Sequence, residues 1–134
     1  MQIHRTETRT IRSESQVVEV RQCVRSLALA LKFSLTDQTK LVTAASEIAR
    51  NTLIYGKGGD VVIESVEDKG RVGIRMIFTD QGPGIKDIDQ ALSDGFTSGS
   101  GLGLGLGGSK RLVHEFDVRS PTEGGLIVSL LRWK

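Results

Sequence analysis

Five glycines fall within eight residues of this chain, at positions 101, 103, 105, 107 and 108, with leucines between the first four. Without side chains, such a stretch can approach a ligand closely and turn several backbone N–H groups toward one anion. Residues 109–113 follow directly and predict the start of a helix, whose N-terminal amides and dipole would favour the same anion. The stretch therefore predicts a nucleotide triphosphate site, with Gly101, Gly103 and Gly105 facing the ligand.

A flexible linker is the alternative interpretation of this glycine-rich stretch. We consider it weaker, because linkers favour polar spacers, whereas Leu102, Leu104 and Leu106 can anchor alternate positions on a core. Leu104 is also grouped with the predicted nucleotide-binding residues. Lys110 is a further candidate for contacting phosphate, with a solvated position on a helix face as the alternative. Residues 93–100 contain more glycine and hydroxyl groups, and we expect them to form a lid over the nucleotide.

An acid and an amide stand four positions apart in a segment with helical spacing, so Glu47 and Asn51 are expected on one helix face. Mg²⁺ accompanies triphosphates, prefers oxygen ligands and keeps several waters, so the amide oxygen of Asn51 beside phosphate oxygens is sufficient to hold it. Glu47 then remains available to orient a hydroxyl nucleophile and accept its proton in phosphoryl transfer. Taken alone, the two residues also fit an exposed helix face that meets solvent.

A second acid, Asp80, ends an apolar, β-branched stretch and precedes a turn sequence with two glycines and a proline. Its carboxylate is expected at a strand end, where Gly82 and Gly84 let a flat ligand approach the backbone. The exocyclic amine of adenine would donate to this carboxylate, whereas guanine presents a carbonyl there and would leave it unpaired. The alternative is an ordinary Asp-x-Gly turn between a strand and a loop.

Hydrophobic spacing predicts helices that alternate with antiparallel hairpins. Residues 3–12 suit an edge strand, and serines at positions 13 and 34 are predicted to cap two helices that end near residues 32 and 55. Strands at 61–66 and 72–79 would pair across a turn at 68–70, and strands at 118–120 and 126–133 would form a final hairpin. Between the two hairpins we expect a third helix with an apolar face formed by Leu112, Val113 and Phe116.

This order of elements bears on the fold class. It favours a two-layer α/β sandwich of the α+β type, in which helices cover one face of a mixed, mostly antiparallel sheet. A doubly wound parallel sheet would instead alternate single strands with helices. The 134 residues suit a single domain that spans residues 1–134.

Composition argues against several classes of partner. The net charge is +2 with acids and bases interleaved, and one Trp, one Tyr and four Phe offer no obvious stacking platform for bases, so nucleic acid is not expected. Apolar runs are too short to span a membrane, and residues 1–5 have no signal-peptide core. The single Cys23 lies among apolar residues and fits a reducing compartment, so we expect a cytoplasmic protein that does not contact membranes.

Together the segments resemble the motifs of the GHKL ATPase superfamily, which includes histidine kinases, gyrase, Hsp90 and MutL. Residues 47–51 are similar to its N box, residues 80–84 to its G1 box and residues 101–105 to its G2 box. The resemblance implies the Bergerat ATP-binding fold, with ATP and Mg²⁺ as cofactors. Carried over by position, Glu47 would be the catalytic base, Asn51 the Mg²⁺ ligand and Asp80 the adenine-recognising residue. The glycines at 82, 84, 101, 103 and 105 would present backbone to the nucleotide.

Residues 46–51 and 95–106 also resemble the branch of small bacterial serine kinases and anti-sigma factors, and within it the stressosome switch kinases. That branch implies a serine/threonine kinase that phosphorylates STAS-domain scaffold or antagonist proteins and then activates a downstream output protein such as a phosphatase. The alternative is a nucleotide-dependent module, similar to anti-sigma factors, that sequesters a partner without phosphorylating it. Many relatives place Gly-Thr just ahead of the last strand, where the threonine helps hold adenine, whereas here Leu126 follows Gly125.

Overall fold

In the part of the chain that the structure describes, helices cover one face of a five-stranded antiparallel sheet. The computed structural model describes residues 1–85, 88, 92 and 106–134. In chain order the elements are β1 (Gln2–Ile11), α1 (Glu14–Ala30), α2 (Leu35–Ile54), β2 (Gly59–Asp68), β3 (Arg71–Asp80), α3 (Leu106–Arg111), β4 (Glu115–Arg119) and β5 (Leu126–Trp133). The strands lie in the order β1-β2-β3-β5-β4, and every pairing in this sheet is antiparallel. The predicted fold class and the edge position of the first strand are confirmed.

Serine side chains begin both long helices, as predicted. The Ser13 hydroxyl accepts a hydrogen bond from the Gln16 backbone N–H at 3.3 Å, and the Gln16 side chain in turn accepts from the Arg12 N–H at 2.6 Å. At α2, the Ser34 hydroxyl accepts from the Asp37 N–H at 3.1 Å. Each cap satisfies amides that have no partner within the first turn of a helix, which fixes where the helix starts.

The main core lies between the sheet and the helices. Alternate residues of the central strands point to the helices, and α1 and α2 present apolar positions spaced at three and four residues, as their sequences predict. The buried residues include Val17, Val20, Val24, Leu27, Leu41, Ala45, Ile48, Val61, Ile63, Met76, Phe78 and Leu130. Leu106 of the glycine-rich stretch is also buried in this core, as expected. The packing holds α2 across the middle of the sheet.

The opposite face of the sheet carries a smaller apolar cluster of Val66, Leu131 and Trp133. The guanidinium of Arg71 lies 4.2 Å from the centroid of the Trp133 ring, in a cation–π arrangement. None of the described helices is long and apolar enough to span a membrane.

The β2–β3 hairpin sets the position of Asp80. Its two-residue turn has positive φ at Lys69 (52°) and Gly70 (81°), the backbone twist that matches a tight antiparallel hairpin. The register that follows pairs Gly59, the first residue of β2, with Asp80, the last residue of β3. Since β2 follows α2 after only a short turn, the end of α2 lies beside the end of β3, where the central strands of the sheet end.

The predicted third helix over residues 109–116 is wrong in its position. Ser109 lies inside α3, which ends at Arg111, and Phe116 belongs to β4. Val113 and Phe116 have helical spacing, but Phe116 and Val118 have strand spacing, and pairing of these two with Leu130 and Val128 of β5 decided the outcome. The final hairpin is confirmed, with β4 beginning at Glu115 rather than at residue 118.

Candidate nucleotide-binding site

The last three turns of α2 carry the predicted acid and amide. Glu47 and Asn51 lie four residues apart, about 6 Å along the helix axis, and so share one side of it. Glu47 is exposed and Asn51 is half-buried, while the neighbouring Ile48 and Ala45 are buried in the core. The helix therefore presents a carboxylate and an amide to the surface near the end of β3, where Asp80 lies.

The end of α2 is tightly organised. The backbone carbonyl of Asn51 accepts hydrogen bonds from the N–H groups of Tyr55 at 2.9 Å and Gly56 at 3.0 Å. Lys57 and Gly58 then take positive φ values of 59° and 97°, which reverse the chain into β2. This reversal brings Gly56 against the end of β3.

Asp80 is buried, with 8% of its surface exposed. Its Oδ1 accepts a hydrogen bond from the Gly82 N–H at 2.9 Å. Burial raises the pKa of Asp80 above its ordinary value, and hydrogen bonds from the backbone N–H groups of Gly82 and Leu126 oppose that shift. A buried carboxylate fixed by backbone donors keeps its position and retains lone pairs for one further donor, such as an amine on a flat base.

Two glycines make room for this carboxylate. A Cβ at Gly56 would lie 2.4 Å from the Cγ and Oδ2 atoms of Asp80, and a Cβ at Gly82 would lie 2.7 Å from the Tyr55 carbonyl oxygen and 2.8 Å from the Gly56 Cα. The end of α2 and the turn after β3 can touch in this way because neither glycine has a side chain. Gly82 was predicted as a site residue. The sequence predicted only that the second helix ends near residue 55, and the contact of Gly56 with Asp80 was missed.

The loop between β4 and β5 completes the cluster. The Gly125 N–H donates to the Gly82 carbonyl at 2.7 Å, and a Cβ on Gly125, at φ +84°, would lie 2.6 Å from the Asp80 carbonyl oxygen. The Ser120 hydroxyl accepts from the Ile85 N–H at 2.9 Å and lies where a Cβ on Gly84 would reach. Sequence reasoning missed Ser120 and the role of Gly125, although the Gly124-Gly125 pair was a signal of a tight backbone approach.

Of the remaining predicted site residues, the structure describes Lys110 but not those at 101–105. Lys110 is exposed on α3, whereas Leu106 and Ser109 are buried against the body of the protein. Gly101, Gly103, Leu104 and Gly105 lie outside the described residues, as do the predicted lid at 93–100 and the neighbouring Leu102. The structure thus brings together Asn51, Asp80, Gly82 and Gly84, with Glu47 one helical turn beyond Asn51.

The donor set fits a hard cation that arrives with phosphate. In the described part of the chain, no group of three or more His, Cys, Asp or Glu side chains could hold a metal ion. A single amide oxygen such as that of Asn51 suits Mg²⁺ bound chiefly by phosphate oxygens and water. The assignment of Asn51 to Mg²⁺ stays a prediction.

A helix-covered antiparallel sheet, with a carboxylate buried at the end of its central strand, is the α/β arrangement expected of the GHKL ATPase fold. The chain belongs to the family of histidine kinase-, DNA gyrase B- and HSP90-like ATPases, which residues 36–133 match. The resemblance to the GHKL superfamily is confirmed.

Two curated relatives are similar to this chain over most of its length. The chain is 42% identical over 123 residues to the serine/threonine-protein kinase RsbT of Bacillus subtilis, and the alignment covers 92% of each chain. It is 27% identical over 119 residues to an anti-sigma F factor of a Thermoanaerobacter species, covering 84% of this chain and 82% of that protein. The expectation of a serine/threonine kinase is confirmed at the level of enzyme class by the first relative.

Solved structures support the fold. The RsbU and RsbW domains of Rv1364c from Mycobacterium tuberculosis superimpose with a TM-score of 0.69 at 18% identity, over 98% of this chain. This chain spans 33% of that longer protein, and at 18% identity the likeness is one of fold alone.

Proposed function

We propose that this chain is an ATP- and Mg²⁺-dependent protein serine/threonine kinase that phosphorylates a STAS-domain scaffold or antagonist protein in the cytoplasm. After phosphoryl transfer it leaves that partner and activates a downstream output protein, such as a phosphatase, in stress signalling. The STAS partner and the output protein follow from the resemblance to stressosome switch kinases and from the relationship to RsbT.

One observation supports the kinase chemistry most directly. Helix α2 carries Glu47 and Asn51 to the same end of the sheet as Asp80, and Gly56 at the end of that helix touches the Asp80 carboxylate. An adenine held at Asp80 would then have its phosphates extend toward α2 and the glycine-rich stretch. Gly82, Gly84, Gly101, Gly103, Leu104, Gly105 and Lys110 are the proposed nucleotide-contacting residues.

In the proposed reaction, a serine or threonine hydroxyl oxygen forms a bond to the γ-phosphorus as the bond from that phosphorus to the β–γ bridging oxygen breaks. Glu47 orients the hydroxyl and accepts its proton. Asn51 would hold Mg²⁺, which would neutralise charge on the phosphates when it is bound. Glu47 is exposed, so a hydroxyl on another protein can reach it.

Replacement of Glu47 tests the proposal. In an intact complex with a STAS-domain partner, ³²P from labelled ATP should appear on the partner, and Glu47→Gln should slow the transfer about 10²–10⁴-fold while ATP still binds. Glu115→Gln, an exposed carboxylate on β4, is the matched control and should leave the rate unchanged. Mass spectrometry of the partner before and after ATP identifies the modified side chain.

The same experiment separates the anti-sigma-like alternative. A module that only sequesters its partner would bind it in an ATP-dependent manner, equally well with and without Glu47, and would leave it unmodified. Absence of any Glu47-dependent phosphate on the partner would remove the kinase proposal and leave sequestration as the function.

A further inference from the structure

The turn that follows Asp80 has little conformational restraint of its own. Its residues 81–85 include Gly82, Pro83 and Gly84, so two positions lack a side chain and one lacks a backbone N–H. Gly84 takes a positive φ of 78°. Within residues 81–85, all of which the structure describes, no backbone N–H donates to a backbone carbonyl of the same segment. The conformation of this turn therefore depends on contacts with other segments.

Two such contacts come from the segment that joins β4 to β5. The Gly125 N–H donates to the Gly82 carbonyl at 2.7 Å, and the Ser120 hydroxyl accepts from the Ile85 N–H at 2.9 Å. These hydrogen bonds hold the turn near its beginning and at its end. The segment that supplies them is short and connects two paired strands, since β4 pairs with β5, so it provides a firm support.

The strand order explains how a serine on this segment reaches the turn. Strand β5 lies between β3 and β4, and both pairings are antiparallel. Asp80 ends β3 opposite Leu126, which begins β5, and Ser120 directly follows β4 at the same end of the sheet. The chain from Asp80 to Ile85 therefore crosses the start of β5 and meets Ser120 on its other side. Ile85 also packs against the main core at this point.

The Ser120 hydroxyl also accounts for the glycine at residue 84. A Cβ on Gly84 would lie 2.4 Å from the Ser120 Oγ and 2.9 Å from the Gly125 carbonyl oxygen. The backbone of the turn thus lies directly against the oxygen that accepts the Ile85 N–H. Because a hydrogen bond is directional, this oxygen restrains both the position and the orientation of the turn.

We propose that Ser120 is a positioning residue for the nucleotide, which acts through the Ile85 N–H to hold the backbone of Gly82 and Gly84 where a base is received beside Asp80. The inference rests on the proposed ATP site and adds to it a side chain that need not touch the nucleotide. Without the hydroxyl, a turn with two glycines is less restrained, and ordering it becomes part of the free energy of binding. The loss applies to the base rather than to the phosphates, because the turn lies at the carboxylate proposed to bind adenine.

Ser120→Ala tests this role. Calorimetric titration should show that the affinities for adenosine and for ATP fall by the same factor, about three- to tenfold, because one neutral hydrogen bond no longer holds the turn. Ser120→Thr retains the hydroxyl and should restore both affinities. Thr122→Ala is the matched control, because it removes an exposed hydroxyl from the same segment and should leave both affinities unchanged.

Two further measurements separate positioning from a general effect on the fold. The Ile85 amide should exchange hydrogen faster in Ser120→Ala than in the wild type, and Ser120→Thr should restore its protection. Circular dichroism establishes that each variant is folded. In the phosphotransfer assay, Ser120→Ala should raise the KM for ATP and leave kcat unchanged, because it weakens binding of the base and not the chemical step.

Several results would overturn the proposal. These are a folded Ser120→Ala variant that binds adenosine and ATP as tightly as the wild type, a loss of affinity for ATP but not for adenosine, or an unchanged exchange rate at Ile85. Failure of the kinase function is distinguishable from these outcomes. A wild-type chain that binds ATP but transfers no phosphate would remove the kinase proposal alone, whereas one that binds neither adenosine nor ATP would remove both.

Discussion

Asp80 is buried, and its carboxylate also accepts hydrogen bonds from backbone N–H groups. These two features shift its pKa in opposite directions. Burial disfavours its charged form and raises its pKa, while N–H donors from Gly82 and Leu126 partly offset this. The carboxyl therefore destabilises the folded protein as it ionises. In an unfolded chain Asp80 would lose its proton near its ordinary value of 3.8, so stability falls as the pH rises from there through the raised pKa of the folded protein.

Asp80→Asn separates recognition from stability. At neutral pH the variant should be at least as stable as the wild type to urea, because a buried charge has been removed. Its affinity for ATP should fall roughly 10–100-fold, the equivalent of about 1.5–3 kcal/mol, because a neutral amide is a weaker acceptor than the carboxylate that we propose for the adenine amine. Calorimetric titration with ATP measures the affinity. Unchanged binding in a folded variant would show that Asp80 does not recognise adenine.

Individual residues differ in how far the sequence predicts them. Asp80 and Gly82 stand in one short turn motif, so their proximity needs only local reasoning. Gly56 and Gly125 lie in separate segments of the chain. Glycine is required at both positions because a side chain there would clash with Asp80, and these residues meet only in the folded protein. Because Gly56 follows a helix end, termination of that helix already explains why a glycine occurs there. That explanation gives no reason to expect its contact with Asp80, which lies 24 residues further along the chain.

At the scale of elements, the junction between α2 and β2 determines the shape of the site. Gly56 allows the helix to end directly against Asp80, and Lys57 and Gly58 turn the chain so that Gly59 enters the sheet opposite the same residue. The acid and amide on α2 are thereby held at a fixed spacing from Asp80 by a rigid helix rather than by a loop.

Gly56→Ala tests this junction. The new Cβ would lie 2.4 Å from the Asp80 carboxylate, so that side chain must move, and ATP affinity should fall at least about tenfold, as for a lost charged hydrogen bond. Gly70→Ala is the matched control. Its Cβ meets nothing within 4 Å, but φ is +81°, so it should cost about 1–2 kcal/mol of stability without a change in ATP affinity. Equal affinities in both variants would contradict the assigned role of Gly56.

Elements themselves were predictable where a local signal was strong. Serine caps and apolar stripes determined α1 and α2, and a short polar turn between β-branched runs determined the β2–β3 hairpin. The signal failed at residues 112–116, where helical and strand spacing coexist within a few residues. There the partner strand β5 decides the outcome, because Phe116 and Val118 bury their side chains by pairing with it.

At the scale of the whole molecule, Arg132 ties together three distant parts of the chain. Its guanidinium donates to the Asp37 carboxylate at 2.5 Å and to the Leu112 carbonyl at 2.9 Å. It thus joins the first turn of α2 to β5 and to the segment that follows α3. No local pattern indicates a pair between residues 37 and 132, because it depends on the completed sheet order.

Asp37→Asn tests this long-range pair. The Arg132 hydrogen bond lowers the pKa of Asp37 below its ordinary value of 3.8, so its stabilisation is present above that value and is lost as the pH falls through the lowered pKa. At neutral pH the variant should lose about 1.5–3 kcal/mol of unfolding free energy, because the mostly buried guanidinium of Arg132 loses its charged acceptor.

The comparison with a surface pair makes this prediction specific. Asp117→Asn breaks the exposed contact with Arg119 and should cost only ~0–1 kcal/mol, because solvent screens that pair. Urea unfolding from neutral to acidic pH should show the difference between wild type and Asp37→Asn shrinking toward zero below the lowered pKa, where the wild-type carboxyl is itself uncharged. A difference that stays constant on acidification would show that Asp37 acts through helix capping and packing rather than through its charge on Arg132.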